Sequence, residues 1–155
     1  MDLGDLAVEF DDLADVIPAA GNRIKKESTE VILANLTANT TADTGAAISN
    51  WQVSADPVVN VLSPHVPSPT GKMIKGKWTH SVDPETTRAN NAPIAEEIAR
   101  VIIETSAPGE PLYISNALPY IQPLDDGHSQ QQVAGMVDRA VSAGESAIDA
   151  ANLLE

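Results

Sequence analysis

The sequence has no cysteine, few aromatic residues and few basic residues, and each shortage argues against a class of protein. Without cysteine there is neither a disulfide nor a thiolate metal site. Two tryptophans, two tyrosines and one phenylalanine argue against a large aromatic-lined ligand pocket. Nine basic residues against 22 acidic ones give a net charge of −13. This argues against DNA binding, since nonspecific affinity comes from lysines and arginines that neutralise phosphates.

Long hydrophobic runs are also missing, because no apolar stretch approaches the roughly 20 residues of a membrane span. The N-terminus, Met1 to Asp15, is acidic, the opposite of a signal or transit peptide. These features predict a soluble protein made in a cytoplasm. With 155 residues, the chain has the length of a single domain, residues 1–155.

Apolar residues recur at steps of three and four in four segments, which predicts four helices. The first is an acidic helix over residues 1–17 that ends before Pro18, and the second covers about 19–38. The third starts near Asn91, which is predicted to cap it, and the fourth covers about 130–148. The third helix is expected to bury the face that contains Ile94, Ile98, Val101, Ile102 and Thr105.

Two short segments have strand character, "AISNWQVSA" around Trp51 and "PLYISN" at 111–116. Between the first strand and the third helix lies "DPVVNVLSPHVPSPTG", which holds four of the eleven prolines and therefore cannot be a central strand. Together with the basic "KMIKGKW" after it, this stretch is predicted to form an extended arm over residues 56–81. The order of elements indicates an α+β fold: a small mixed sheet packed by about four helices, with a long arm.

A carboxylate, an imidazole and a hydroxyl lie within five residues at Asp125, His128 and Ser129, next to Asp126. One hypothesis is a small hydrolase that uses these three groups. Adjacency argues against it, since the members of a triad usually come from separated segments. The sequence also lacks the glycine-flanked nucleophile of a hydrolase elbow.

The same stretch has a structural interpretation, which we favour. Ser129 and Gln132 have the spacing of a capping box for the last helix. Gly127 can adopt the positive φ of a tight turn. Asp125 and Asp126 lie just before that helix, where negative charge is favourable. Only His128 has no role in this interpretation.

Two further clusters contain groups that bind ions. His65 and His80, with Asp83 and Glu85, suggest a metal site, but their spacing matches no known ligand pattern, and exposed loop histidines are the alternative. We therefore predict no metal and no cofactor.

The lysines Lys72, Lys75 and Lys77 form the only concentrated basic patch. They are expected either to contact an acidic protein surface, such as that of the first helix, or to be solvated. Phosphate is a weaker third interpretation.

Two segments together resemble a known family. "ANTTADTGAAISNW" (38–51) is similar to an element of the tail-completion proteins of tailed bacteriophages, the head–tail joining or neck proteins often described as minor tail proteins. "YISNALPYIQPLDDGHSQQQVAGMV" (113–137) resembles a second element of the same family. The first similarity is carried by Asp43, Thr44, Gly45 and Trp51. The second is carried by Asn116, Leu118, Pro119, Tyr120, Gly127, Ser129, Gly135, Met136 and Val137.

The resemblance has departures. His128 replaces a more usual aromatic or basic residue, Val133 replaces proline, and Gln131–Gln132 replaces a Gln-Ala pair. The acidic first helix and the loop from Val58 to Ser81 have no counterpart.

The resemblance implies a virion structural protein without enzymatic activity or cofactor, located at the head–tail interface and assembled in the host cytoplasm. Such proteins form a ring, commonly six-fold, around the channel through which DNA leaves. The implied partners are other copies of the chain, the head connector, and the tail-tube or terminator proteins, with DNA passing nearby. Another minor head or tail structural role, such as head-interior or capsid-decorating, is the alternative within the same virus.

Three contacts are expected from this interpretation. The arm contacts a neighbouring subunit or ring, with Lys72, Lys75 and Lys77 as candidate contact residues. The acidic face of the first helix borders the DNA channel or a basic partner surface. His128 contacts a partner ring.

Overall fold

A computed structural model shows an α+β fold, as the sequence predicts. It describes residues 3–57, 61–67, 72–74, 77–79, 83–128 and 133–151, with the side chains of 3–13, 72–74 and 77–79 left out. The helices are α1 (Leu3–Asn39), α2 (Ala46–Ser49), α3 (Pro84–Thr105), α4 (Ile121–Asp125) and α5 (Met136–Ala150). The strands are β1 (Trp51–Ser54), β2 (Lys72–Ile74), β3 (Lys77–Thr79) and β4 (Tyr113–Asn116).

The strands form two separate antiparallel pairs rather than one mixed sheet. In the pair β1–β4, Trp51 lies opposite Asn116 and Val53 lies opposite Ile114. The pair β2–β3, called the ribbon below, places Lys72 opposite Thr79 and Met73 opposite Trp78.

The predicted helix break at Pro18 is wrong, because α1 continues through it from Leu3 to Asn39. Proline has no N–H, so the carbonyl four residues earlier, at Ala14, loses its helical donor. Residues 14–19 are all exposed, and water can satisfy that carbonyl. The acidic face predicted for the first helix lies outside the described side chains, apart from Asp15, which is exposed.

The third helix starts earlier, and buries a different face, than the sequence suggests. Asp83, not Asn91, is its N-cap and accepts from the Glu85 amide at 3.2 Å. The buried face consists of Thr87, Asn91, Ala95, Ala99 and Ile103, at steps of four. Ile98 and Val101 are 46% and 62% exposed. The large apolar residues of α3 misled the prediction, because small alanines are what allow a helix to approach its neighbours closely.

One core joins α1, α3, α5 and the β1–β4 pair. Its buried members are Leu33, Leu36, Trp51, Val53, Ala95, Ala99, Ile103, Met136 and Ala140. Leu112 and Ile114 pack against it while Tyr113 is exposed, as expected for a strand whose successive side chains point to opposite faces. At the contact of α1 with α5, a Cβ added to Gly144 would overlap the side chain of Ile32.

Basic side chains bind the C-terminal ends of α1 and α3. Lys25 donates to the carbonyls of Ala107 (2.8 Å) and Glu110 (2.9 Å), just after α3. Arg88 of α3 donates to the carbonyls of Thr37 (2.6 Å) and Thr40 (3.0 Å) at the end of α1. Cations are favourable at these helix ends, where carbonyls lack helical partners. Partial burial lowers the pKa of the Arg88 guanidinium, which nevertheless stays charged at neutral pH.

Within the described ranges, no helix is both long and apolar enough to cross a bilayer.

Candidate functional site: the junction of the two motifs

The two motifs that resemble the phage family meet at a buried hydroxyl. The indole Nε1 of Trp51, from the first motif, donates to Thr40 Oγ1 at 2.8 Å. That hydroxyl donates to the Leu36 carbonyl at 2.6 Å and lies 3.6 Å from Sδ of Met136, from the second motif. Thr40 and Met136 are almost fully buried. The Thr40 hydroxyl therefore links Trp51 to the end of α1 and to the start of α5.

Asn116 forms a second link between the motifs. Its Nδ2 donates to the Ala47 carbonyl in α2 at 2.9 Å, and its Oδ1 accepts from the Leu118 amide at 3.2 Å. Asn116 is thus the last residue of β4, and its side chain both binds α2 and stabilises the turn that leads to α4. Pro119 and Tyr120 after it are exposed, with Tyr120 41% exposed.

Gly45 is required by its backbone and by its surroundings. Its φ of 84° lies in the left-handed region, and a Cβ there would overlap the side-chain amide of Asn91. The hydroxyl of Thr44 accepts from the Ala46 amide at 3.3 Å, at the start of α2. Asp43 is exposed. The "TG" pair therefore shapes a turn that packs on α3.

Two buried asparagines hold the first half of the predicted arm. Asn91 Oδ1 accepts from the Val66 amide at 2.8 Å, and its Nδ2 donates to the Val66 carbonyl at 2.9 Å. Asn50 binds Ser63 in the same way: its Oδ1 accepts from the Ser63 amide at 2.8 Å, and its Nδ2 donates to the Ser63 carbonyl at 3.4 Å. Gln52 adds a bond to the Val61 carbonyl at 2.6 Å.

Each side-chain amide thus satisfies both backbone groups of one residue, as a neighbouring strand would. Residues 61–67 form no regular element, yet they belong to the body of the domain. Sequence reasoning missed both roles and predicted Asn91 as a helix cap. The one available signal was that Asn91 falls at a step of four from the alanines of α3, the spacing of an inward face.

The acidic turn before α5 is a helix cap, but not the one predicted. The helix begins at Met136 after Gly135, whose φ is 79°, so Ser129 is not its N-cap. Instead Asp125 Oδ1 accepts from the Val137 amide at 3.0 Å, and the Asp125 carbonyl accepts from Gly135 at 2.8 Å. The amides in a helix's first turn lack partners within the helix, and Asp125 satisfies one from α4. Ser129 and Gln132 lie outside the described residues.

The predicted conformation of Gly127 is confirmed by its φ of 88°. A Cβ at this position would lie 3.0 Å from that of Ala134, so the turn also brings two chain segments close together. His128 follows with an exposed side chain. Of the three groups in the hydrolase hypothesis, Asp125 is bound to a helix end and His128 faces solvent, while Ser129 is not among the described residues.

The suggested metal ligands are dispersed where they are described. His65 is exposed in the 61–67 segment, and Asp83 caps α3, where hydrogen bonds from the side chain and backbone of Thr86 lower its pKa. His80 lies outside the described residues. Across the described part of the chain, no three His, Asp or Glu side chains are grouped to hold a metal ion.

A groove between α1 and α3 has a volume of about 270 Å³. It is lined by Glu30, Leu33, Ala34, Glu96, Arg100 and Ile103. Leu33 and Ile103 are buried and form its apolar floor, while Glu30 is exposed at its edge. Glu96 Oε1 is oriented by the Thr37 hydroxyl, which donates to it at 3.0 Å.

The candidate contact lysines lie on the ribbon, with Lys72 in β2 and Lys77 in β3. Lys75 lies outside the described residues. Within the described ranges, the two strands pair with each other and have no extensive packing against another helix or strand.

Comparison of the chain with protein-family models, with curated proteins and with solved structures gives no significant match. The resemblance to phage tail-completion proteins therefore rests on the residues of the two motifs.

Proposed function

We propose that the protein is a virion structural subunit of the head–tail junction of a tailed bacteriophage, a neck or tail-completion ring protein. The observation that supports this most is the meeting of the two motifs. Trp51, Asn116 and Met136 come from the segments that resemble the family, and they hold α1, α2, β4 and α5 together. Three of the residues that carry the resemblance are thus among those that hold this fold together.

The charge distribution supports a location beside DNA without adhesion. Four of the nine basic residues, Lys25, Lys26, Arg88 and Arg139, donate to backbone carbonyls of the domain itself. The chain has 22 acidic residues against nine basic ones, so its net charge is −13. A negative ring surface repels the phosphates of passing DNA, which lowers nonspecific binding.

The proposal is tested in a phage that carries this gene. Removing the gene should leave DNA-filled heads and separate tails that do not join, and a wild-type copy supplied in trans should restore plaques. Gold-labelled antibody against a tagged copy should mark the neck in electron micrographs. As a control for the effect of substitution itself, a copy with a change at an exposed position, Asn90→Ala, should restore plaques as well as the wild-type copy.

Joined, infectious particles without the protein would contradict the proposal. Label on the head surface, or only inside the head, would instead favour a decorating or head-interior role.

A further inference from the structure

We infer that the β2–β3 ribbon of one copy docks in the α1–α3 groove of a second copy. The inference rests on the proposed ring assembly and names its contact. Ribbon and groove are different surfaces of one chain, so their contact is heterologous. Contacts of this kind repeat head to tail and close into a ring when the rotation between copies permits.

The ribbon needs a surface to pack on. A two-stranded hairpin alone is at best marginally stable in water, and three residues per strand make this one short. Among the described helices and strands of its own chain, none makes an extensive backbone contact with it. Packing against a helical surface is one of the ways in which such a ribbon becomes stable.

The composition of the ribbon matches the groove. "KMIKGKW" alternates lysines with Met73, Ile74 and Trp78 and contains no acidic residue. The groove combines an apolar floor with the carboxylates of Glu30 and Glu96. Apolar side chains gain from leaving water on such a floor, and lysines gain from carboxylates at its edge.

The exposed side of α3 extends the negative surface beyond the groove, through Glu97 and Glu104. Arg100 is the single basic residue of the lining.

A second copy fits better than another acidic or basic partner. Four of the six basic residues outside the ribbon already donate to carbonyls of their own domain. Outside the ribbon, each copy has 22 acidic residues against six basic ones, so this part of one copy repels the same part of another. The ribbon is the one concentrated positive segment of the sequence, so ribbon against groove is the attractive arrangement between copies.

The absence of native cysteine allows a direct test with purified full-length protein. Ile74→Cys in one copy is mixed under mild oxidation with a second copy that carries Ala34→Cys in the groove. Two control copies replace the groove copy: one carries Ser146→Cys on α5, and the other carries Asp15→Cys on the N-terminal half of α1. Ala34, Ser146 and Asp15 are all exposed, so all three cysteines are accessible to solvent. We expect several-fold more disulfide-linked dimer with Ala34→Cys than with either control.

Charge reversal adds a second readout. Lys72→Glu with Lys77→Glu should abolish the excess dimer, and combining that ribbon with Glu30→Lys in the groove copy should restore part of it. Raising the salt concentration should reduce the excess, since exposed charges are screened within about 3 Å at 1 M salt.

Equal yields at the three positions, including no dimer at any of them, would overturn the inference. An excess at Asp15→Cys would overturn it too, because the ribbon would then meet the N-terminal half of α1 and not the groove. Since this test uses no virions, its failure leaves the proposed location in the particle standing. Conversely, a correct cross-link in a protein absent from the neck would reject only the proposed function.

Discussion

The two halves of the proline-containing arm behave differently, although both look like irregular, exposed chain in the sequence. Residues 61–67 have no regular secondary structure, yet Asn50 and Asn91 bind their backbone to the body. The ribbon has regular strands, yet within the described residues its backbone makes no extensive contact with another helix or strand. Whether a segment of the arm is held against the rest of the domain thus depends on buried hydrogen-bonding partners and not on its secondary structure.

This difference changes the arm prediction. The sequence predicts that the arm contacts a neighbouring subunit over residues 56–81. In its described first half, the backbone is bound within the domain while the side chains of Val61, Leu62 and Val66 remain exposed. The ribbon is the half that we propose as the contact between subunits. A deletion of the whole arm would also remove the partners of two buried asparagines, and it would confuse folding with assembly.

The largest expected effect comes from breaking the tie between the body and residues 61–67. Asn91→Ala removes both bonds to Val66 and leaves a buried space on α3, so we expect a loss of about 2–4 kcal/mol in the free energy of unfolding. Its neighbour Asn90 is exposed on the same helix, and Asn90→Ala should change stability by less than about 0.5 kcal/mol. Urea unfolding of both variants measures the difference, and equal values would show that the asparagine tie contributes little.

An effect of similar size is expected at the turn that packs on Asn91. Gly45→Ala should cost about 2–4 kcal/mol, because the left-handed backbone is strained and the new methyl group displaces the Asn91 amide. Gly109 has a similar φ of 78° with no atom near its missing Cβ, so Gly109→Ala should cost only about 1–2 kcal/mol. Thermal unfolding compares the two, and the excess at Gly45 measures the contact with Asn91. A larger loss for Gly109→Ala would contradict the packing described here.

The smallest effect on stability is expected at the ribbon. Replacing residues 72–79 by glycine and serine at equal length should shift the free energy of unfolding by less than about 0.5 kcal/mol, since the ribbon has no extensive packing on the body. The same replacement over 61–67 keeps the backbone groups that Asn50 and Asn91 bind, but it removes Pro64 and Pro67 and adds glycine. The segment then loses more conformational entropy on folding, so this replacement should be more destabilising than that of the ribbon. Circular dichroism during urea unfolding tests both, and a ribbon replacement as damaging as the other would erase the difference between the halves.

Much of the fold was predictable, because apolar periodicity and turn residues act locally. The end of α1 near Asn39, the strand at Trp51, the strand 113–116 and the positive φ of Gly127 all follow from such signals. The α+β order of elements follows from them as well.

The predictions were wrong where contacts between distant segments determine how a helix starts, continues or packs. Pro18 does not break α1, because the carbonyl it leaves without a donor lies on an exposed stretch. The inner face of α3 is set by alanines that permit close approach, which a count of large apolar residues overlooks. The start of α5 depends on Asp125, a residue eleven positions before it, and no local pattern reports that bond.

The candidate site divides in the same way. The residues of the two motifs were identified from the sequence, but not the reason that they matter, which is their meeting at Thr40. The sequence does not predict that Asn50 and Asn91 hold the 61–67 segment. Their amides bind backbone 13 and 25 residues away, and bonds at such distances produce no periodic pattern in the sequence.

The lysine and arginine contacts at the ends of α1 and α3 have a consequence for acid tolerance. Their acceptors are backbone carbonyls, which do not titrate, whereas a salt bridge loses its carboxylate partner when pH falls. Acid therefore removes the net negative charge of the surface while leaving these contacts between the helices in place. Near its isoelectric point, the domain should lose the repulsion that keeps copies apart before it loses its fold.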